Sequence, residues 1–172
     1  AAALVGSYGL QVTIDDNAAI YVTDESPTTE PRYHARFMFD PNTIPMAIGD
    51  THNILYGYSG TSTVVLRVAL RFSNGSYQIR TALSNDSASW SNTTWQTISD
   101  GLHTLELDWQ ASTAIGVNNG NLSLWIDGVP RGSLTGIDND TRRIDRVRLG
   151  AVAGLDNGTR GTYYFDAFES WR

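Results

Sequence analysis

The strongest constraint on this chain is a hairpin written into residues 64–83. Val64-Val65-Leu66-Arg67-Val68-Ala69-Leu70-Arg71-Phe72 alternates, Ser73-Asn74-Gly75-Ser76 interrupts, and Tyr77-Gln78-Ile79-Arg80-Thr81-Ala82-Leu83 alternates again. Asn-Gly tolerates the positive φ angles of a type I′ turn, whose twist suits two antiparallel strands. With Asn74 and Gly75 as the loop, Phe72 pairs with Tyr77, Leu70 with Ile79, Val68 with Thr81 and Leu66 with Leu83. All but one of these are apolar or aromatic. The other face carries Arg67, Ala69, Arg71, Gln78, Arg80 and Ala82. A slip of one residue would exchange the faces, so turn chemistry and hydrophobic pattern specify the same register.

The same period-two pattern predicts strands at 10–14, 20–22, 33–39, 53–58, 103–109, 122–126, 144–149 and 162–171, separated by Gly, Asn and Asp clusters, with no helix. Pro27, Pro31, Pro41, Pro45 and Pro130 fall outside the strong runs, as expected where a ladder donor cannot be spared. About ten strands without crossover helices predict an all-β fold, a two-sheet antiparallel β-sandwich of the jelly-roll kind. At 172 residues, without internal repeat or linker, the chain reads as one domain over 1–172, with 1–6 as an N-terminal arm or linker.

Composition removes several function classes. Cysteine is absent, which excludes disulfide frameworks and thiol sites. A net charge of −6 opposes nucleic-acid binding, which calls for a basic field. No apolar run approaches the roughly 20 residues that cross a bilayer, so membrane insertion is not expected. All twelve basic residues are arginine and the loops are dense in Asn, Ser, Thr and Gly, an extracellular or cell-surface composition; the start at Ala1 without Met reads as a processed or excised fragment. Asn-x-Ser/Thr triplets begin at Asn74, Asn85, Asn92, Asn121, Asn139 and Asn157, open to glycosylation in a host that performs it, although such residues are also ordinary turn formers.

Two segments carry a resemblance. His103-Thr-Leu-Glu-Leu-Asp-Trp109 followed by Gly120-Asn-Leu-Ser-Leu-Trp-Ile-Asp-Gly128 resembles the paired strands of laminin-G-like domains, and Gly161-Thr-Tyr-Tyr-Phe-Asp-Ala-Phe168 is similar to the last strand of jelly-roll carbohydrate-binding modules, which pairs with the first strand. The resemblance implies a concanavalin A-like lectin and glucanase fold. That superfamily includes glycan-binding modules, adhesion domains and some glycoside hydrolases. Its retaining glucanases carry two catalytic acids on one strand, because nucleophile and acid/base must flank the scissile bond. Here Glu106-Leu-Asp108-Trp-Gln110 has an amide where the second acid belongs, and residue 111 is Ala. The expectation is therefore a non-catalytic module.

Glu106 and Asp108 are expected to share a sheet surface with Arg67, Arg71 and Arg80, either as a charge lattice or as groups that hydrogen-bond sugar hydroxyls. Sugar rings stack on aromatic plates, and the candidates are Tyr56, Tyr58, Trp90, Trp95 and Trp125, with Arg67, Arg71, Gln78 and Arg80 as polar partners. Trp109, Tyr163 and Phe165 alternate with apolar residues and read as core. The resemblance also implies a structural calcium near the junction of first and last strands. Asp166 sits at the matching position, and Asp15 and Asp16 are expected to add oxygen ligands. The run Asp138-Asn-Asp140-Thr lacks the remaining residues of an EF-hand and reads as an Asx turn. Two readings stay open: a secreted lectin-like module for a polysaccharide or cell-surface glycan, and a structural or adhesive module that works through self-association or neighbouring domains. An exposed edge strand or the apolar residues 1–5 would serve the second.

Overall fold

A computed structural model describes residues 2–172 as thirteen β-strands, with no helix among the described residues. They are β1 (Leu10–Ile14), β2 (Ile20–Asp24), β3 (Arg32–Asp40), β4 (Thr51–Ser59), β5 (Thr63–Ser73), β6 (Ser76–Ser84), β7 (Trp90–Asn92), β8 (Gln96–Ile98), β9 (His103–Gln110), β10 (Gly120–Ile126), β11 (Val129–Ile137), β12 (Arg146–Ala153) and β13 (Gly161–Trp171). One sheet runs β1-β13-β3-β9-β10-β11, the other β2-β12-β4-β5-β6-β7, with β8 also on β6. Every pairing is antiparallel, and the two sheets form a jelly-roll sandwich.

The 64–83 hairpin forms in the register its turn dictates. Phe72 faces Tyr77, Leu70 faces Ile79, Val68 faces Thr81 and Leu66 faces Leu83. Asn74 and Gly75 adopt φ of 52° and 74°, the left-handed pair a type I′ turn requires. First and last strands pair as the resemblance implies, Leu10 opposite Phe165 and Ile14 opposite Gly161.

The core lies between the sheets. Trp109, Tyr33, Tyr163, Phe37, Phe39 and Phe165 are its largest fully buried side chains, and Phe39, Tyr163 and Phe165 pack with ring centroids 5.1–5.6 Å apart. Burial of each such side chain contributes about 1.5–3 kcal/mol, and this takes the place of a disulfide framework.

Pro130 is a correction, for it belongs to β11 and faces Trp125. β11 is an edge strand, where a missing donor costs no ladder bond. Gly132, Gly136 and Pro130 erase its period-two signal. The three-residue strands β7 and β8 are too short to show any.

Candidate active site

The outer face of the β2-β12-β4-β5-β6 sheet gathers four arginines, Arg67, Arg71, Arg80 and Arg148, that make no ion pair among the described residues. Across four strands, Arg148, Tyr56, Arg67 and Ala82 lie in direct register, and Asn92 of β7 continues the row. Tyr56 thus stands between two guanidinium-bearing residues on the strands either side of it. One step along, Ala69 faces Arg80, and beyond it Arg71 faces Gln78, which faces Thr97. Alternation on the 64–83 hairpin puts Arg67, Ala69, Arg71, Gln78, Arg80 and Ala82 outward, because Leu66, Val68, Leu70, Ile79 and Leu83 between them fill the core.

Each arginine is held by neutral groups. The Arg67 guanidinium lies 4.2 Å from the Trp90 ring centroid, and its Nη2 donates to Asn92 Oδ1 at 3.2 Å. Arg71 and Arg80 both lie over Trp95, at 4.2 and 4.4 Å, and Arg71 Nε donates to Gln78 Oε1 at 2.6 Å. Arg148 lies 4.3 Å over Tyr21 and 5.1 Å from the Tyr58 ring, and its Nη1 donates to Tyr58 Oη at 3.4 Å. Ala69 and Ala82, 4% and 1% exposed, are covered at the foot of these stacks. Larger residues there would displace the guanidinium planes.

Among the described residues, no carboxylate pairs with Arg67, Arg71, Arg80 or Arg148. None of the residues facing them in register is acidic either. A local cationic field in a chain of net charge −6 concentrates anions. Burial lowers the pKa of Arg80, with Arg67 and Arg71 acting in the same direction. Arg80 Nε and Arg148 Nε are shielded from solvent and lack hydrogen-bond partners. Tyr56 is pushed up by burial, with Arg67 pulling against that. The Tyr56 and Tyr58 rings meet edge to face, centroids 5.9 Å apart.

Eight of the nine residues singled out for ligand contact, Tyr56, Tyr58, Arg67, Arg71, Gln78, Arg80, Trp90 and Trp95, come together on this face. Trp90 and Trp95 are half-buried rather than free plates, because guanidinium groups cover them. Trp125 lies elsewhere, since β10 belongs to the other sheet; there it stacks near His34, which itself stacks on Trp171 at 4.0 Å. Glu106 and Asp108 are likewise on β9 of the other sheet, away from Arg67, Arg71 and Arg80. Their partners are His34 Nε2, 2.8 Å from Glu106, and Arg32, bidentate to Asp108. Arg148, Tyr21 and Asn92 were missed, although the alternation of Arg146 and Arg148 in the predicted 144–149 strand is a readable sign of an outward basic pair.

Asp166 and the Asp15-Asp16 turn are not brought together. Leu10 faces Phe165 and Ile14 faces Gly161, so they stand at opposite ends of β1. The Asp166 carboxylate accepts backbone N–H bonds from Leu4 and Val5, both at 2.8 Å, and from Ala167 at 2.7 Å. Asp16 caps its own turn through the Ala18 N–H. Acidic ligand atoms do converge at Asp86, Asp138 and Asp140, within 4.8 Å of one another, with Arg142 Nε 3.4 Å from Asp86.

Neither protein-family models nor curated proteins match this sequence. Solved structures do. Alginate lyase Aly36B superposes with a TM-score of 0.67 at 11% identity, over 98% of this chain and 82% of that one. Alginate lyase vAL-1 from Chlorella virus gives 0.59 at 12% identity, over 95% and 84%. The receptor-binding domain of botulinum neurotoxin mosaic serotype C/D gives 0.57 at 10% identity, over 94% of this chain and 46% of that one. At such identity the likeness is one of fold, a jelly-roll sandwich, and it does not single out the laminin-G-like family. It corrects the expectation of a non-catalytic lectin-like or adhesive module. Lyases occupy this fold over nearly its whole length, and a missing pair of glycosidase acids excludes hydrolysis by that pair alone.

Proposed function

We propose that this chain is a polysaccharide lyase that binds a polymer of uronic acids across the outer face of the β2-β12-β4-β5-β6 sheet and cleaves it by β-elimination. The observation that carries the reading is Tyr56 in register between Arg148 and Arg67, neither of which pairs with a carboxylate among the described residues. Likeness of fold to alginate lyases supports it. The hydrogen on C5 of a uronate is acidified by the adjoining carboxylate once a cation neutralises that group, and Arg67 and Arg148 supply the cation. Tyr58 reacts as the phenolate, its Oη accepting from Arg148, and takes the C5 proton to become the neutral phenol. The C–H electron pair becomes the C4–C5 double bond, the C4–O bond breaks, and the departing oxygen takes a proton from Tyr56, which burial keeps in its neutral form. No water adds across the bond, so no second acid is needed.

The test is incubation with polymannuronate, polyguluronate and polygalacturonate, reading the ultraviolet absorbance of the unsaturated product. Activity that falls about a hundredfold or more in both Tyr56→Phe and Tyr58→Phe, with folding intact, is the expected result. Absence of unsaturated product from every polymer, with a folded chain, would overturn the reading.

A further inference from the structure

We infer that Arg71, Arg80 and Trp95 form a second anion subsite, which holds the carboxylate of a neighbouring sugar while the Tyr56 row holds the reacting one. The inference rests on the polyuronate reading. Both guanidinium groups lie over one indole, at 4.2 and 4.4 Å from its centroid, so two like charges are held against the same ring with no carboxylate paired to either among the described residues. Gln78 ties down Arg71 and is itself tied to Thr97, Nε2 to Oγ1 at 3.3 Å. Arg80 Nε is shielded from solvent and unpartnered, so contact with Trp95 rather than a hydrogen bond from Nε holds this guanidinium. An anion that reaches both guanidinium groups would relieve their repulsion and accept from their outer N–H groups.

The position suits a separate group on one polymer. Arg80 faces Ala69, two residues along from Arg67 and one strand over, so the backbones lie about 8 Å apart at ordinary strand rise and spacing. A single carboxylate does not span that distance, whereas successive uronates carry repeated carboxylates. Contact with Trp95 holds the two guanidinium groups before ligand arrives, which keeps the ordering cost low.

Calorimetric binding of mannuronate oligosaccharides of increasing length to the full chain carrying Tyr56→Phe tests this directly. Affinity should rise steeply once the oligomer is long enough to reach Trp95. Arg71→Gln/Arg80→Gln in that background should lose at least about tenfold for the long oligomers and little for the short ones, as expected from lost charge-assisted hydrogen bonds. Nitrogen-15 spectra of the Arg side chains in the unsubstituted chain offer a readout independent of variant folding, with Arg80 Nε–H moving on addition of long oligomers and not of short ones. Equal affinity of the double variant and its parent for long oligomers would overturn the subsite while leaving lyase activity in place. Length-dependent binding lost in the double variant, with no turnover by the unsubstituted chain, would keep the subsite and remove the lyase reading. Displacement of the oligomer by dextran sulfate at tenfold lower charge concentration would overturn the carboxylate assignment in favour of a sulfate ester.

Discussion

Arg67 and Trp90 form a stacked pair, the guanidinium 4.2 Å from the indole centroid, and the pair belongs to two strands joined only through β6. Trp90 therefore acts on the row beside Tyr56 without being part of it. Trp90→Ala is expected to lower stability by about 1 kcal/mol through the lost cation–π contact, and to lower kcat/KM on a uronate polymer by about tenfold as Arg67 loses its fixed plane. Urea unfolding and steady-state kinetics check the two effects separately. Unchanged kinetics in a destabilised variant would show that Arg67 is held well enough by Asn92 alone.

Acid lability should trace to His52. It lies on β4 inside the sandwich, its ring stacked on Tyr163 and its Nε2 3.2 Å from Tyr163 Oη, with Nδ1 unpartnered. Burial pushes it down to about 4 from 6.5. Between those values the unfolded chain binds a proton that the folded chain refuses, so stability is fully present above pH 6.5 and falls as pH drops toward 4. The loss amounts to about 3 kcal/mol over that interval. His52→Phe should flatten this part of the profile in urea titrations at pH 7, 5.5 and 4. An equally steep decline in the variant would move the cause to another group.

Glycosylation, in a host that performs it, should skip Asn139. Its side chain is fully buried, with Oδ1 accepting from the Ser112 N–H at 2.7 Å and Nδ2 donating to Gln110 O at 3.4 Å. Asn74, Asn92 and Asn157 are exposed. Glycopeptide mapping should find occupancy only among the accessible triplets, and a glycan on Asn92, beside Arg67, should abolish binding of acidic polymer. Occupancy at Asn139 in folded protein would contradict its burial.

Release of the N-terminal arm should follow loss of the Asp166 carboxylate. Its backbone donors, Val5 first, hold its pKa below the ordinary carboxylate range. The depressed value means the tie is present above the unfolded pKa and is lost as pH falls through the folded one. In Asp166→Ala, amide exchange at Leu4 and Val5 should approach the unprotected rate while the 64–83 hairpin keeps its protection. Retained protection at both amides would assign the arm's anchorage to its packing near Gly9, where Ala2 approaches closely.

What could be read from the sequence alone was whatever local chemistry dictates. The Asn74-Gly75 turn and the alternation around it determined a register, and with it the outward placement of Arg67, Arg71, Gln78 and Arg80, because turn twist and side-chain period act over a few residues. Apolar alternation likewise marked Trp109, Tyr163 and Phe165 as core. Strand β11 escaped because an edge position tolerates the glycines and proline that a pattern reads as loop.

Tertiary structure alone decided which faces share a sheet. Arg148 meets Tyr56 from ninety-two residues away in sequence, while Glu106, Asp108 and Trp125, equally outward in their own strands, fall on the opposite sheet. Alternation says that a side chain leaves the core; it carries no information about which of the two layers it leaves from. That choice rests on non-local strand pairing, and it separates acids that looked like partners of the arginines from a face where those arginines stand without any.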